Sequence, residues 1–332
     1  MNILLCSVGR RVQLVNYFRE ELNKIGGKVV AVDCDLTAPA LYHADSYELV
    51  PRITHADYMD SLITICKKHE IKGILSLIDP ELSLLSTYKD CFQMEGISLI
   101  LPDKWIVDLC YDKYLTSLFL QEKGLPNIPT YDNFHSVKEA VTKSKIQCPF
   151  IVKPKYGSAS IGVHKISSLK ELSEFMKNHD DYIIQPFQSG DEFCVECYVD
   201  IYTHEITSFF SKRKLNMRSG ETDKSIEIHD SVLFQLTKEL VTILKPVGPI
   251  DIDWFKTEKG YVISEINPRF GGGYPYAHEM GNNFITQIIS NLQGVSSVPT
   301  EEYSGPYAEG KTMVRYDTFV VLSSSNKTTI VK

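Results

Sequence analysis

Apolar positions follow two rhythms along the chain. NILLCSV (Asn2–Val8), KVVAVDC (Lys28–Cys34) and GILSLID (Gly73–Asp79) are short, nearly continuous apolar runs. They predict buried β-strands. Between them the spacing changes to three and four: Leu14, Val15, Phe18 and Leu22 form one stripe within Val12–Lys24, and Asp57–Lys68 repeats the pattern. These predict helices. Tyr47–Val50 adds a short strand. Strands alternating with helices imply a parallel sheet over the first hundred residues.

After ILPDKW (Ile100–Trp105) the pattern shifts. Val107–Lys123 reads as one helix, stopped by Gly124 with Pro126 and Pro129 beyond. PFIVKPKYGSASIGV (Pro149–Val163) reads as a strand, a lysine, a loop of small residues and a second strand. Leu169–Asn178 is helical. The stretches 182–200 and 205–214 alternate like antiparallel strands. Val232–Leu244 and Phe284–Leu292 are helices. GPIDIDWF and GYVISEIN are strands joined by a turn at Glu258–Gly260. The architecture expected is α/β in the first part and α+β in the C-terminal part.

Composition narrows the classes. Thirty-five basic against forty-two acidic residues give a net charge of −7, with no long basic run, so nucleic acid is not an expected partner. No stretch reaches the length of an apolar membrane span, and no leader is expected, so a cytoplasmic location is expected. Eight scattered cysteines suit a reducing compartment. Cys194 and Cys197 form a CxxC, yet on a strand they point to opposite faces, which disfavours metal or redox use. SVGRR follows the first strand with a single glycine, so a dinucleotide fingerprint is missing and an NAD-dependent oxidoreductase is disfavoured. Anion binding by Gly9 and Arg10 at the following helix stays open.

The densest chemistry lies in ISEINPRFGGGYP (Ile263–Pro275). Glu265, Asn267 and Arg269 share one strand face, with Ile263 in the same phase. Asp251 and Asp253 share a face on the preceding strand, and antiparallel pairing can bring Asp253 beside Glu265 and Asn267. Oxygen ligands alone suit a hard cation, Mg²⁺ with Mn²⁺ an alternative. Arg269 supplies a fork for a phosphoryl or carboxylate oxygen. The three glycines would let another molecule approach the backbone.

Taken in order, Asp112-Lys113, Lys153 with the Gly157–Gly162 loop, QPFQSGDE (Gln185–Glu192), DIDW (Asp251–Trp254) and EINPR (Glu265–Arg269) resemble the ATP-grasp superfamily, most closely its carbamoyl phosphate synthetase and biotin carboxylase branch. The resemblance implies a pre-ATP-grasp, Rossmann-like parallel sheet over 1–105. A two-lobed ATP-grasp domain would follow, with an N-terminal lobe at 106–186 and a C-terminal lobe at 187–332. It implies that Lys113 and Lys153 hold ATP phosphates under a loop containing Gly157, Ser158 and Ser160. Gln185 to Phe187 would read adenine through their backbone, and Glu192 the ribose. Asp253, Glu265 and Asn267 would hold the metal, with Arg269 and Lys153 at the transferred phosphate. Gln185 and Pro186 depart from the family's usual acidic hinge.

The implied reaction is ADP-forming ligation of a small carboxylate (amino acid, peptide or sugar acid) to an amine through an acyl phosphate. A phosphotransferase of the carbamoyl-phosphate type, or a nucleotide-binding protein without turnover, are the alternatives. Homodimers are common among such relatives. Substrate contacts are expected from Arg213 or Arg218 in SKRKLNMRSGE and from Gly272, Tyr274 and His278 in GGGYPYAHEMG.

Overall fold

The computed structural model describes residues 1–157, 161–218, 220–300 and 310–322. Among these, three sheets form. The first contains the parallel strands β1 (Asn2–Cys6), β2 (Lys28–Asp33), β3 (Ser46–Leu49), β4 (Ile71–Ser76) and β5 (Ser98–Leu99), in the order β3-β2-β1-β4-β5. That is the parallel α/β sheet the alternating pattern implies. The second is small and antiparallel: β6 (Phe150–Pro154), β7 (His164–Ile166) and β8 (Tyr182–Pro186), in the order β7-β6-β8. The third holds β9 (Asp191–Val199), β10 (Ile206–Arg218), β11 (Glu221–Glu227), β12 (Gly248–Thr257), β13 (Gly260–Asn267) and β14 (Thr312–Val314), in the order β13-β12-β9-β10-β11-β14. No described helix is long and apolar enough to cross a membrane.

The third sheet is strongly two-faced. One face contributes Phe193, Val195, Cys197, Ile250, Ile252, Trp254, Ile263 and Ile266 to an apolar core covered by the helix Ser231–Leu244. The first sheet shares a second core with the far end of the chain. Ile3, Leu5, Leu14 and Phe18 pack there with Phe270, Tyr274, Phe284, Ile285 and Ile288. The small sheet has its own core of Val137, Phe150, Val152, Ile166, Leu172 and Ile184.

Several local expectations change. The single helix read over Val107–Lys123 is two, Lys104–Tyr111 and Lys113–Glu122, because Asp112 leaves helical geometry between them. Its carboxylate accepts from the Tyr114 and Leu115 amides, an N-cap that starts the second helix. Helices at Asp79–Thr87, Lys89–Met94 and Phe134–Thr142 also appear that the apolar spacing did not announce. Ile263 does not share the face of Glu265. The register steps between Asp253 and Trp254, so Trp254 faces Ile263 while Asp253 faces Glu265. Ser264 is the extra residue of a bulge, and the bulge lets β13 bury Ile263 and still present Glu265 to the other side.

Candidate active site

The second face of the large sheet is polar. Its register sets Lys212, Cys194, Asp253 and Glu265 in one row across β10, β9, β12 and β13. The next row sets Glu196, Asp251 and Asn267 side by side. This face forms one wall of a cavity of about 750 Å³. The parallel sheet contributes Ser7–Arg11 and Leu77–Asp79 to the opposite wall, and the small sheet contributes Lys153, Gln185 and Phe187.

Charges on the polar face are matched in detail. Lys212 and Glu196 are both fully buried and 2.8 Å apart. Lys214 Nζ lies 2.7 Å from Asp253 Oδ1 and 3.7 Å from Glu192 Oε2. Burial lowers the Lys214 pKa, but the Asp253 carboxylate beside it, with Glu192, outweighs burial and holds it above its ordinary value. Asn267 donates to Asp251 Oδ2 at 3.2 Å. Burial, then the neighbouring Glu196 and Asp253, push the Asp251 carboxyl up. The Cys194 thiol donates to Asp251 Oδ1 at 3.0 Å, and burial raises its pKa, so it stays a thiol. Cys197 points into the core, as the strand phase predicts.

Lys113 begins the helix that Asp112 caps. Its ammonium donates to the Gly157 carbonyl and lies 3.5 Å from Glu265 Oε1. Lys153 extends from β6 into the cavity. No carboxylate lies within ion-pair distance of it among the described residues. Burial lowers its pKa, Glu265 opposes, and the Lys113 charge lowers it further, against Asp253 and Glu192. An ammonium with no carboxylate in direct contact is stabilised by an arriving anion. Ser158 and Ser160 lie outside the described residues.

The hinge region is already hydrogen-bonded. The Phe187 amide donates to the Pro149 carbonyl at 3.0 Å, and the Pro186 carbonyl accepts from the Gln188 side chain at 3.0 Å. The Gln185 side chain donates to Thr130 at 2.8 Å. Lys165 sits 3.8 Å above the Phe187 ring. Gln185, Phe187 and Glu192 nevertheless line the cavity.

Arg269 is held by another part of the chain. Nη2 donates to Asp79 Oδ2 at 2.9 Å; Nε lies 2.9 Å from Oδ1 but too far out of line to donate. Nη2 also reaches Asn267 Oδ1, and Nη1 lies 4.0 Å from Asp251. The fork expected to be open for a ligand is therefore engaged by an N-terminal carboxylate. The Gly9 amide, a candidate anion donor, is likewise used, on Asp33 at 2.8 Å.

The glycine run has a different cause from the one expected. A Cβ on Gly271 would come within 2.6 Å of Glu196 Oε1, and one on Gly273 within 2.2 Å of Lys212 Nζ. The backbone thus closes over the protein's own buried charges at both positions. Gly272 alone of the three faces Arg11 and Glu221, at 3.3 and 3.5 Å from its would-be Cβ.

Of the expected substrate contacts, only Gly272 lines the cavity. Arg213 points to the other side of β10, where it bonds Asp191 at 3.0 Å. Arg218 is spent on Asp317 and Asp223. Tyr274 is buried in the shared core, its hydroxyl accepting from the Phe284 amide. His278 stacks on Tyr17 at 3.7 Å, and burial lowers its pKa. Sequence reasoning passed over Arg11, Asp79, Glu196, Lys212, Lys214 and Glu221. The strand period carried the signal for two of them: Lys212 and Lys214 alternate with Arg213, so if one face of SKRK meets the site, the other cannot.

The fold and cavity define an α/β protein with lysines and arginines set against an oxygen-rich sheet face. The description "PylC-like, N-terminal domain" matches residues 3–100, and "ATP-grasp domain" matches residues 110–273. The chain carries an ATP-grasp domain behind a PylC-like N-terminal domain. It is 27% identical over 267 residues to the uncharacterized protein y4rH of Sinorhizobium fredii, covering 70% of this chain and 52% of that one. It is 25% identical over 219 residues to a D-alanine–D-alanine ligase of Helicobacter pylori, covering 60% of this chain and 62% of the ligase. The chain thus spans between half and two thirds of these two relatives. Among solved structures it resembles the biotin carboxylase domain dimer of Hydrogenobacter thermophilus 2-oxoglutarate carboxylase, which was crystallised with ADP, its magnesium salt and bicarbonate. The TM-score is 0.73 at 14% identity, over 91% of this chain and 72% of that one.

Proposed function

We propose that this chain is an ATP-dependent, ADP-forming ligase that joins a small carboxylate to an amine through an acyl phosphate. One observation carries the reading. The register puts Asp253 opposite Glu265 and Asp251 opposite Asn267, on the wall of the cavity that Lys113 and Lys153 enter.

The donor set fits a hard cation. Asp253, Glu265 and Asn267 offer oxygen, and the neighbouring Cys194 stays protonated. A bound Mg²⁺ would neutralise phosphate charge and polarise the transferred phosphoryl group. Lys214 pairs with Asp253 and Lys113 with Glu265. Those ammonium groups are placed to turn to phosphate oxygens when nucleotide and cation enter together. Lys153, with no carboxylate in ion-pair distance among the described residues, binds phosphate without giving up a partner. Arg269, fixed by Asp79, presents a permanent positive charge beside Asp251 and Asn267, where negative charge develops on the reacting carboxylate. Glu192 is assigned to the nucleotide sugar and Gln185 to Phe187 to the base, with shape rather than the occupied Phe187 amide doing the recognition.

The test is ADP and phosphate release with ATP and Mg²⁺ across a grid of carboxylic acids and amines. Release that needs one acid and one amine together supports the ligase. Release with the acid alone indicates a phosphotransferase. Glu265→Gln is expected to lower turnover at least about a hundredfold with the fold intact, and unchanged release in that variant would falsify the metal assignment. Lys153→Ala is expected to raise the KM for ATP.

A further inference from the structure

Three arginines gather at the end of the cavity beyond Arg269. Arg11 donates from Nη1 to the Gly271 carbonyl at 2.8 Å. Arg315 donates from Nη2 to the Gly272 carbonyl at 2.6 Å and pairs with Glu221. Arg10 lies 3.6 Å from Glu221 with its side chain 67% exposed. Arg10, Arg11, Glu221 and Gly272 all line the cavity. Two guanidiniums, those of Arg10 and Arg315, thus share the Glu221 carboxylate at the cavity wall, while Arg11 beside them is, among the described residues, bonded only to the Gly271 carbonyl.

Of the Arg11 donors, one is used among the described residues, on Gly271. Its pKa is lowered by burial first and by the Arg269 charge second, with Glu221, Asp251 and Glu196 opposing. This is the same imbalance that marks Lys153. The cavity therefore has two cationic ends. Lys113 and Lys153 lie beside Glu265, and the arginines lie beside Gly271 and Gly272. The oxygen-rich face of Asp253, Glu265 and Asn267 is shared with the lysine end.

Accepting the ligase reading above, on which this inference rests, nucleotide phosphates take the lysine end and the reacting carboxylate sits near Arg269. The arginines lie past Arg269, on the carbonyls of Gly271 and Gly272, and so offer a place to a group other than the reacting one. We propose that this end binds a second substrate carboxylate, one that does not react, held by the Arg11 fork with Arg10. The substrates accordingly carry a free carboxylate besides the one activated. It belongs either to an amino acid that supplies the amine or to a dicarboxylic acid that supplies the acyl group. Glu221 keeps Arg10 and Arg315 in place, and the loosely paired Arg10 closes on the bound anion. Gly272 keeps the space between Arg11 and Glu221 open.

The experiment is calorimetric titration of the full chain loaded with MgADP. The ligands are the standard amino acids, their carboxamides and decarboxylated amines, a set of dicarboxylic acids with their half-amides, and phosphorylated counterparts. At least one carboxylate ligand is expected to bind about ten- to a hundredfold tighter than its own carboxamide, the size of a charge-assisted bond to arginine. Arg11→Gln should erase that ratio and leave MgADP affinity unchanged. Amino acid or dicarboxylate preference then tells which substrate carries the group. Equal binding of acid and amide, preference for phosphorylated ligands, loss of MgADP affinity in Arg11→Gln, or no carboxylate binder in the panel would each overturn the proposal. Arg10→Gln, at a side chain 67% exposed, is the second variant and should lower the same ratio, so the proposal stays testable if Arg11→Gln misfolds. Failure of the unaltered protein to bind MgADP would instead sink the ligase reading.

Discussion

Single residues here are decided by what faces them. Glu81 is fully buried in the parallel-sheet region, where Tyr58 and Ser76 donate to its carboxyl. Burial raises its pKa most, the hydroxyl donors oppose, and Asp33 adds repulsion. Tyr58 and Cys6 are themselves pushed up and stay neutral. A raised pKa means that the folded state holds the proton more tightly. The stability it contributes is complete below the unfolded glutamate value of about 4.3 and is lost as pH rises through the folded value. Between about pH 5 and about pH 8 the melting temperature of Glu81→Gln should therefore fall less than that of the parent chain. Parallel pH profiles would remove the assignment. The same dependence on neighbours explains what was legible at the site. Glu265, Asn267, Asp253 and Lys153 announce themselves by type and local spacing, and all reach the cavity. Arg213 and Arg218 were chosen because arginine binds carboxylates well, but their neighbours Asp191 and Asp317 decide otherwise.

At the scale of elements, the turn after β13 is where sequence and structure part most usefully. Three glycines suggest room for a ligand, yet two of them make room for Glu196, Asp251 and Lys212. The test is substitution by alanine. Gly273 has φ of −91°, which alanine adopts freely, so any cost there comes from contact and not from the backbone. Displacing the fully buried Lys212 from Glu196 is expected to cost about 1–3 kcal/mol in Gly273→Ala. Gly272→Ala meets nothing closer than 3.3 Å, and its cost should stay within about 0.5 kcal/mol. Denaturant titration of the two variants checks this, and equal stabilities would refute the close-approach account. The bulge at Ser264 belongs to the same scale. Strand alternation was read without interruption through Ile263, and a one-residue insertion in the ladder is invisible to that reading. Elements with strong periodicity, such as β12 and the helix Ser231–Leu244, fall where their apolar rhythm puts them. Short helices with few buried positions, such as Phe134–Thr142, do not stand out.

For the whole molecule, the order of motifs disclosed the family, but the cavity depends on pairings no local pattern reveals. Arg11 meets Gly271 across 260 residues, and Asp79 meets Arg269 across 190. The parallel sheet is thereby part of the cavity wall, and its core continues into Phe270, Tyr274 and Phe284. The small sheet is built otherwise. The six buried apolar residues around it form a core of their own, apart from the three that serve the larger sheets. This separation has a consequence for amide hydrogen exchange. A segment with its own small core can open without disrupting the others, at a free energy below that of global unfolding. Deuterium should enter β6 and β8 as one cooperative set, well before it enters β9 and β12, and MgADP should slow that set selectively. Equal uptake across all four strands would mean that the chain opens only as a whole. The predicted order would mean that nucleotide binding and release are governed by the fluctuation of a lid that carries Lys153 with it.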